Sequence, residues 1–223
     1  MTRLVEKIKT RDIKAVFIDE CNLCLRTKNW IEELMPLVDY LWIVPSTENL
    51  KNKDYQEMST NFVFVNLEQN FRNSQQIIKA TQSVAEKKGY LYKEGIAMPP
   101  SNSPSGCEAT FVDTFEGAVK EARKRTNEGI LVVVDYRINK HYFDVLNHSK
   151  EIWKAYHEKK NEFEEGENPY KFLQQGNILI INERASLGFE WSTVIVFEQN
   201  TRLATYHDCN FMIRCTTNLV IVK

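Results

Sequence analysis

Two unbroken apolar stretches, Ile130-Leu131-Val132-Val133-Val134 and Ile178-Leu179-Ile180-Ile181, set the strongest limit on how this chain can fold. A half-exposed strand alternates apolar with polar residues. A short uniform run fits a strand covered on both faces, the usual condition of a parallel sheet flanked by helices. Neither run approaches the roughly 18 apolar residues of a membrane span.

Helical spacing between such runs supports the same α/β class. Strands are expected at Ile13 to Ile18 (a buried run), Tyr40 to Val44, near Cys107 to Val112, and at Ile130 to Val134, Asn177 to Ile181, Thr193 to Phe197 and Leu219 to Val222, while the apolar run Phe62 to Val65 leads into a helix. Thr27 fits an N-cap for a helix over Lys28 to Leu37, with Trp30, Ile31 and Leu34 on one face. A second helix, capped by Asn73 or Ser74, carries Ile77, Ile78, Thr81, Val84 and Ala85 as its buried stripe and ends at Gly89. A third, capped by Thr114, buries Phe115, Ala118, Val119 and Ala122 before Gly129. Further helices are expected over Lys150 to Phe163 and around Asp208 to Cys215, with Glu162 to Glu167 as a solvated turn. The polar stretch from Ser46 to Asn61 marks a boundary between domains of residues 1–61 and 62–223.

Charge narrows the function classes. With 29 Lys plus Arg against 30 Asp plus Glu, net charge alone cannot hold the chain on nucleic acid or anionic lipid, although a local basic patch can. A start without an apolar h-region and an odd count of 5 cysteines fit a cytoplasmic or nuclear protein with free thiols. Cys21 and Cys24 form a lone C-x-x-C without the second ligand pair of a structural zinc site. The four histidines show no ligand spacing. Lys87-Lys88-Gly89-Tyr90-Leu91-Tyr92-Lys93 mixes cations with aromatics, which suits either a single-stranded nucleic-acid groove or the basic end of a helix. Arg123-Lys124-Arg125 reads as a solvated helix face.

An ordered series of short motifs carries more information. Val16-Phe17-Ile18-Asp19-Glu20 is an apolar strand ending in adjacent carboxylates, an arrangement that can aim one at magnesium and let the other polarise water, although many strands end so simply on meeting solvent. Downstream follow Asn70-Phe71-Arg72-Asn73-Ser74, then Gly188-Phe189-Glu190-Trp191 before Val194-Ile195-Val196, then Arg214 five residues before Leu219-Val220-Ile221-Val222. In this order and spacing the chain resembles the C-terminal part of a superfamily 1 helicase core, as in UvrD-like helicases and Schlafen-type helicase-like domains. The match runs from about Ile13 to Lys223, with Tyr40 to Val44 as the strand of the third motif.

The resemblance implies an α/β, RecA-like P-loop NTPase architecture with a mostly parallel sheet: an incomplete first domain (1–61, the second-motif strand onward) and a complete second one (62–223). It implies that Asp19 holds magnesium and Glu20 acts as general base. Arg72 and Arg214 would reach the γ-phosphate, Gly188 would permit close backbone approach and Glu190 would bind the ribose. ATP with Mg2+ is the implied cofactor and nucleic acid, RNA or DNA, the implied partner, with a missing N-terminal RecA-like half or a partner chain supplying the rest.

Departures from the family pattern are equally definite. No G-x-x-x-x-G-K-[ST] occurs, and only 18 residues precede Asp19. The third motif runs into Pro45-Ser46-Thr47-Glu48 without its glutamine, Ile213 replaces the usual Thr or Ser, and Leu187 stands where Lys is common. The span from Arg72 to Gly188 lacks room for the UvrD-type inserted subdomain and suits the compact Schlafen-like form. The expectation is a fragment of a helicase-like, ATP-dependent translocase or remodeller that does not hydrolyse ATP alone. A non-catalytic binding or scaffold module on a degenerate helicase fold is the alternative.

Overall fold

The computed structural model describes residues 2–19, 29–44, 62–63, 65, 69–87, 97–134, 140–157, 160–182, 189–198 and 212–223. The chain divides into two compact units, Met1–Asn66 and Leu67–Lys223.

In the first unit, helix α1 (Thr2–Arg11) precedes strand β1 (Ala15–Ile18); α2 (Asn29–Leu34) runs through a 3-10 turn (Met35–Leu37) to β2 (Tyr40–Ile43). The strands pair in parallel, Ala15 opposite Tyr40 through Ile18 opposite Ile43. Ile8, Ile31 and Leu34 are buried, and Val16, Ile18, Leu41, Ile43 and Phe62 pack against them. Helix α1 is not evident from the sequence, because its charged residues mask the buried Ile8. The expected buried run at Ile13 to Ile18 is corrected: alternate residues are exposed, and Phe17 is 73% accessible.

The second unit is a doubly covered sheet. Its elements are α3 (Gln75–Lys87), β3 (Thr110–Val112), α4 (Phe115–Arg125), β4 (Ile130–Val134), α5 (Lys140–Asn147), β5 (Trp153–His157), β6 (Lys160–Asn161), α6 (Pro169–Gln174), β7 (Ile178–Asn182), β8 (Trp191–Phe197) and β9 (Cys215–Val222). The spatial order is β3-β9-β8-β4-β7-β5-β6, with every neighbouring pair parallel except the short antiparallel β5–β6. Because side chains alternate across a strand, the uniform run in β4 supplies two cores. Ile130, Val132 and Val134 join Ile180, Ile195 and Val220 beneath Phe115, Ala118 and Ala122 of α4 and Leu146 of α5. Leu131 and Val133 join Leu179, Ile181, Val194 and Leu219 on the other face, beneath Ile77 and Val84 of α3 and Leu173 of α6.

The buried stripes of α3 and α4 match the spacing read from the sequence, and Thr114 caps α4 by accepting the Gly117 amide at 3.1 Å. The helix expected over Lys150 to Phe163 is absent. Those residues form β5 and β6, with Trp153 opposite Ile178 and Tyr156 opposite Ile181. Trp153 and Tyr156 are three apart, which imitates a helix, but they pack into opposite cores. Of the helix expected around Asp208 to Cys215, residues 208–211 lie outside the described residues, and Cys215 already begins β9. No helix among the described residues is long and apolar enough to cross a membrane.

Candidate functional site

Three segments distant in sequence meet at the amino-terminal ends of β8 and β9. The first is the turn before α3. There the Asn70 side-chain oxygen accepts the backbone amides of Arg72 and Asn73, both at 2.9 Å, and closes the loop on itself. The second is Phe189-Glu190 entering β8, and the third is Arg214 entering β9.

Backbone and side-chain bonds lock these segments together. The Trp191 amide donates to the Arg214 carbonyl at 3.0 Å, and Trp191 pairs with Cys215 across the ladder. Trp191 also donates its indole N–H to the Gly129 carbonyl at 2.7 Å, pinning the start of β8 beside β4. Gly129 is required there: a Cβ would lie 2.2 Å from the Leu173 carbonyl oxygen. Asn73 is 4% exposed, and its Nδ2 donates to the carbonyls of Ile213 and Cys215 at 2.8 and 2.7 Å.

Arg72 and Glu190, expected from the resemblance to meet different parts of one nucleotide, form an ion pair at 2.9 Å, with side chains 49% and 36% exposed. Such a pair contributes about 0–1 kcal/mol, so a stronger anion can displace the carboxylate. Arg214 is half-buried and its Nε is enclosed. Phe189 stacks on Tyr170 with ring centroids 4.7 Å apart and planes 2° from parallel, giving the site an aromatic flank. Cys215 beneath it is no nucleophile, since burial pushes its thiol up to about 12.

The site differs from the sequence reading in several places. The capping role expected of Asn73 or Ser74 is not what their side chains do: Asn73 turns to β9, and the buried Ser74 hydroxyl has no hydrogen-bond partner. The N-x-x-N spacing of Asn70 and Asn73 was the available signal for a side-chain-closed turn. Arg123 is not simply solvated. Its Nε and Nη2 hold Glu151 at 2.9 and 2.6 Å, while Nη1 and Nη2 donate to the carbonyls of Glu128 and Gly176 at 2.6 and 2.8 Å. Lys87 lies over the Phe111 ring at 5.6 Å, and the rest of Lys87 to Lys93 is outside the described residues.

In the first unit Asp19 stands exposed just beyond β1, while Glu20, Cys21 and Cys24 lie outside the described residues, as does Gly188 in the second. No three His, Cys, Asp or Glu residues cluster as a metal site among the described residues.

The fold and site thus define an α/β chain whose six-stranded parallel sheet gathers two arginines and a glutamate at the amino ends of adjacent strands. No protein-family model matches the chain, and no curated protein matches it either.

Proposed function

We propose that this chain is part of a superfamily 1 helicase-like, ATP-dependent nucleic-acid translocase or remodeller, with residues 67–223 as its second RecA-like domain. One observation carries the reading. The segments resembling the fourth, fifth and sixth motifs, which span 140 residues between Asn73 and Ile213, converge at the amino-terminal ends of two adjacent strands of a parallel sheet. That arrangement supports Arg72 and Arg214 as γ-phosphate ligands and Glu190 as a ribose ligand; the roles of Asp19 with magnesium and of Glu20 as general base rest on the motif resemblance alone.

A bound magnesium–ATP would supply the phosphoryl group. The chain's own contribution is cationic: Arg214 and an Arg72 released from Glu190 would offset the charge that spreads over the transferring group. Backbone amides of a phosphate loop are needed as well, and no G-x-x-x-x-G-K-[ST] lies among the 223 residues. The chain alone should therefore show no ATP turnover. Together with the mutual neutralisation of Arg72 and Glu190, this favours a second reading, a binding or scaffold module that keeps the sheet without catalysis.

The test separates the two. In a protein carrying a phosphate-loop half, Arg214→Ala should lower single-turnover hydrolysis by roughly 10³ to 10⁵ with little change in nucleotide affinity. Glu190→Ala should mainly weaken binding. Hydrolysis equal to the parent's in both variants would make Arg214 a structural charge and leave residues 67–223 a scaffold that takes no part in the turnover.

A further inference from the structure

We propose that Asn73, oriented by Asn70, is the positioning residue for Arg214 and ties it to the turn carrying Arg72, so that both guanidinium groups are presented as one unit; what that unit is used for, though not its assembly, rests on the nucleotide reading. Asn73 spends both N–H donors on the carbonyls immediately before and after Arg214. Trp191 takes the carbonyl between them. Three successive carbonyls, those of Ile213, Arg214 and Cys215, are therefore held from two directions, and the backbone of Arg214 cannot rotate without breaking one of these bonds.

The amide orientation follows from the same network. Asn70 Nδ2 donates to Asn73 Oδ1 at 2.9 Å, and the flipped amide would set an oxygen against two carbonyl oxygens. The remaining Asn70 oxygen accepts the Arg72 amide, so the chain of bonds runs from the backbone of one arginine to that of the other. Only a carboxamide combines two donors with an acceptor on so short a side chain; aspartate has the shape but, when ionised, accepts only. With Asn73 4% exposed, water offers the two carbonyls little replacement.

A spectroscopic test reads the side chain rather than the fold. The probe is the Nε–H resonance of Arg214 in the full chain, assigned by its loss in Arg214→Ala. Asn73→Asp removes both donors, and Asn70→Ala is a milder change that leaves them in place. Each should shift this resonance and raise its exchange with water about tenfold, as expected for the loss of one or two buried hydrogen bonds. The Nε–H of Arg123, held by Glu151, should be unaffected. An Arg214 resonance identical to the parent's in both variants would overturn the proposal. So would equal loosening of Arg123, because Asn73 would then brace the sheet at large. No nucleotide is present, so a chain unable to bind ATP would defeat the proposed function without touching this result.

Discussion

Strands β1 and β4 are both short, apolar and parallel to their neighbours, yet they occupy opposite environments. All five residues of β4 are buried, whereas β1 alternates exposed with half-buried positions, as does its partner β2. The difference lies in what surrounds the strands. Neighbours on both edges and helices on both faces give every β4 side chain a partner. In the first unit one face is covered by Ile8, Ile31 and Leu34, while the other leaves Phe17, Tyr40 and Trp42 73%, 63% and 56% exposed, Phe17 stacked on Trp42 at 6.0 Å. An apolar run therefore specifies a strand more reliably than it specifies burial.

The largest effects that could break this contrast are in the second unit. Ile180→Ala in β7, at 0% exposure, should cost about 2–5 kcal/mol, and Phe17→Ala under about 1 kcal/mol. Hydrogen exchange followed separately in residues 1–66 and 67–223 checks this, and equal losses would show the β1 face to be covered in solution. A smaller effect tests whether polar links matter to the sheet. Arg123→Ala removes the Glu151 pair and two carbonyl bonds, at 21% and 24% exposure for the ion pair, and should lower stability by about 2–3 kcal/mol. An unchanged urea midpoint would restore the solvated reading.

The smallest effect is the response to pH, which should have opposite signs in the two units. Hydrogen bonds from Lys120, Lys124 and Lys154 hold Glu116, Glu121 and Glu167 below the ordinary 4.5. Their stabilisation of the second unit is complete above that value and is lost as pH falls through their folded values. The Asp12 hydrogen bond raises Lys14 in the first unit above 10.5, so its contribution holds below that value and disappears as pH rises through the folded one. Lys14, Glu116 and Glu167 face solvent and Glu121 is half-buried, so the changes should be slight and shrink in high salt. A second unit equally stable at pH 3 and pH 6 would show that these pairs contribute nothing.

Much of the second unit was legible in the residues. The stripes of α3 and α4, the Thr114 cap and the uniform runs of β4 and β7 each encode their structure locally, because helical spacing, a hydroxyl cap and an all-apolar strand have one economical use. The β5 segment is not legible locally: Trp153 and Tyr156 stand at a spacing a helix would also use, and only pairing with β7 makes the segment a strand. Helix α6 is masked in the same way, since its capping residue Asn168 and the following Pro169 come directly after the acidic stretch Glu162 to Glu167 that reads as a turn.

The order of Arg72, Glu190 and Arg214 along the chain belongs to the sequence alone. Their meeting does not. It needs β9 to lie beside β8 and the turn before α3 to close over β9, and those contacts join residues up to 142 positions apart. Local chemistry determines that Asn70 and Asn73 can fold a turn on themselves. Only the tertiary structure decides that Asn73's two remaining donors find the carbonyls flanking Arg214, because a hydrogen bond requires its partner to be brought within reach.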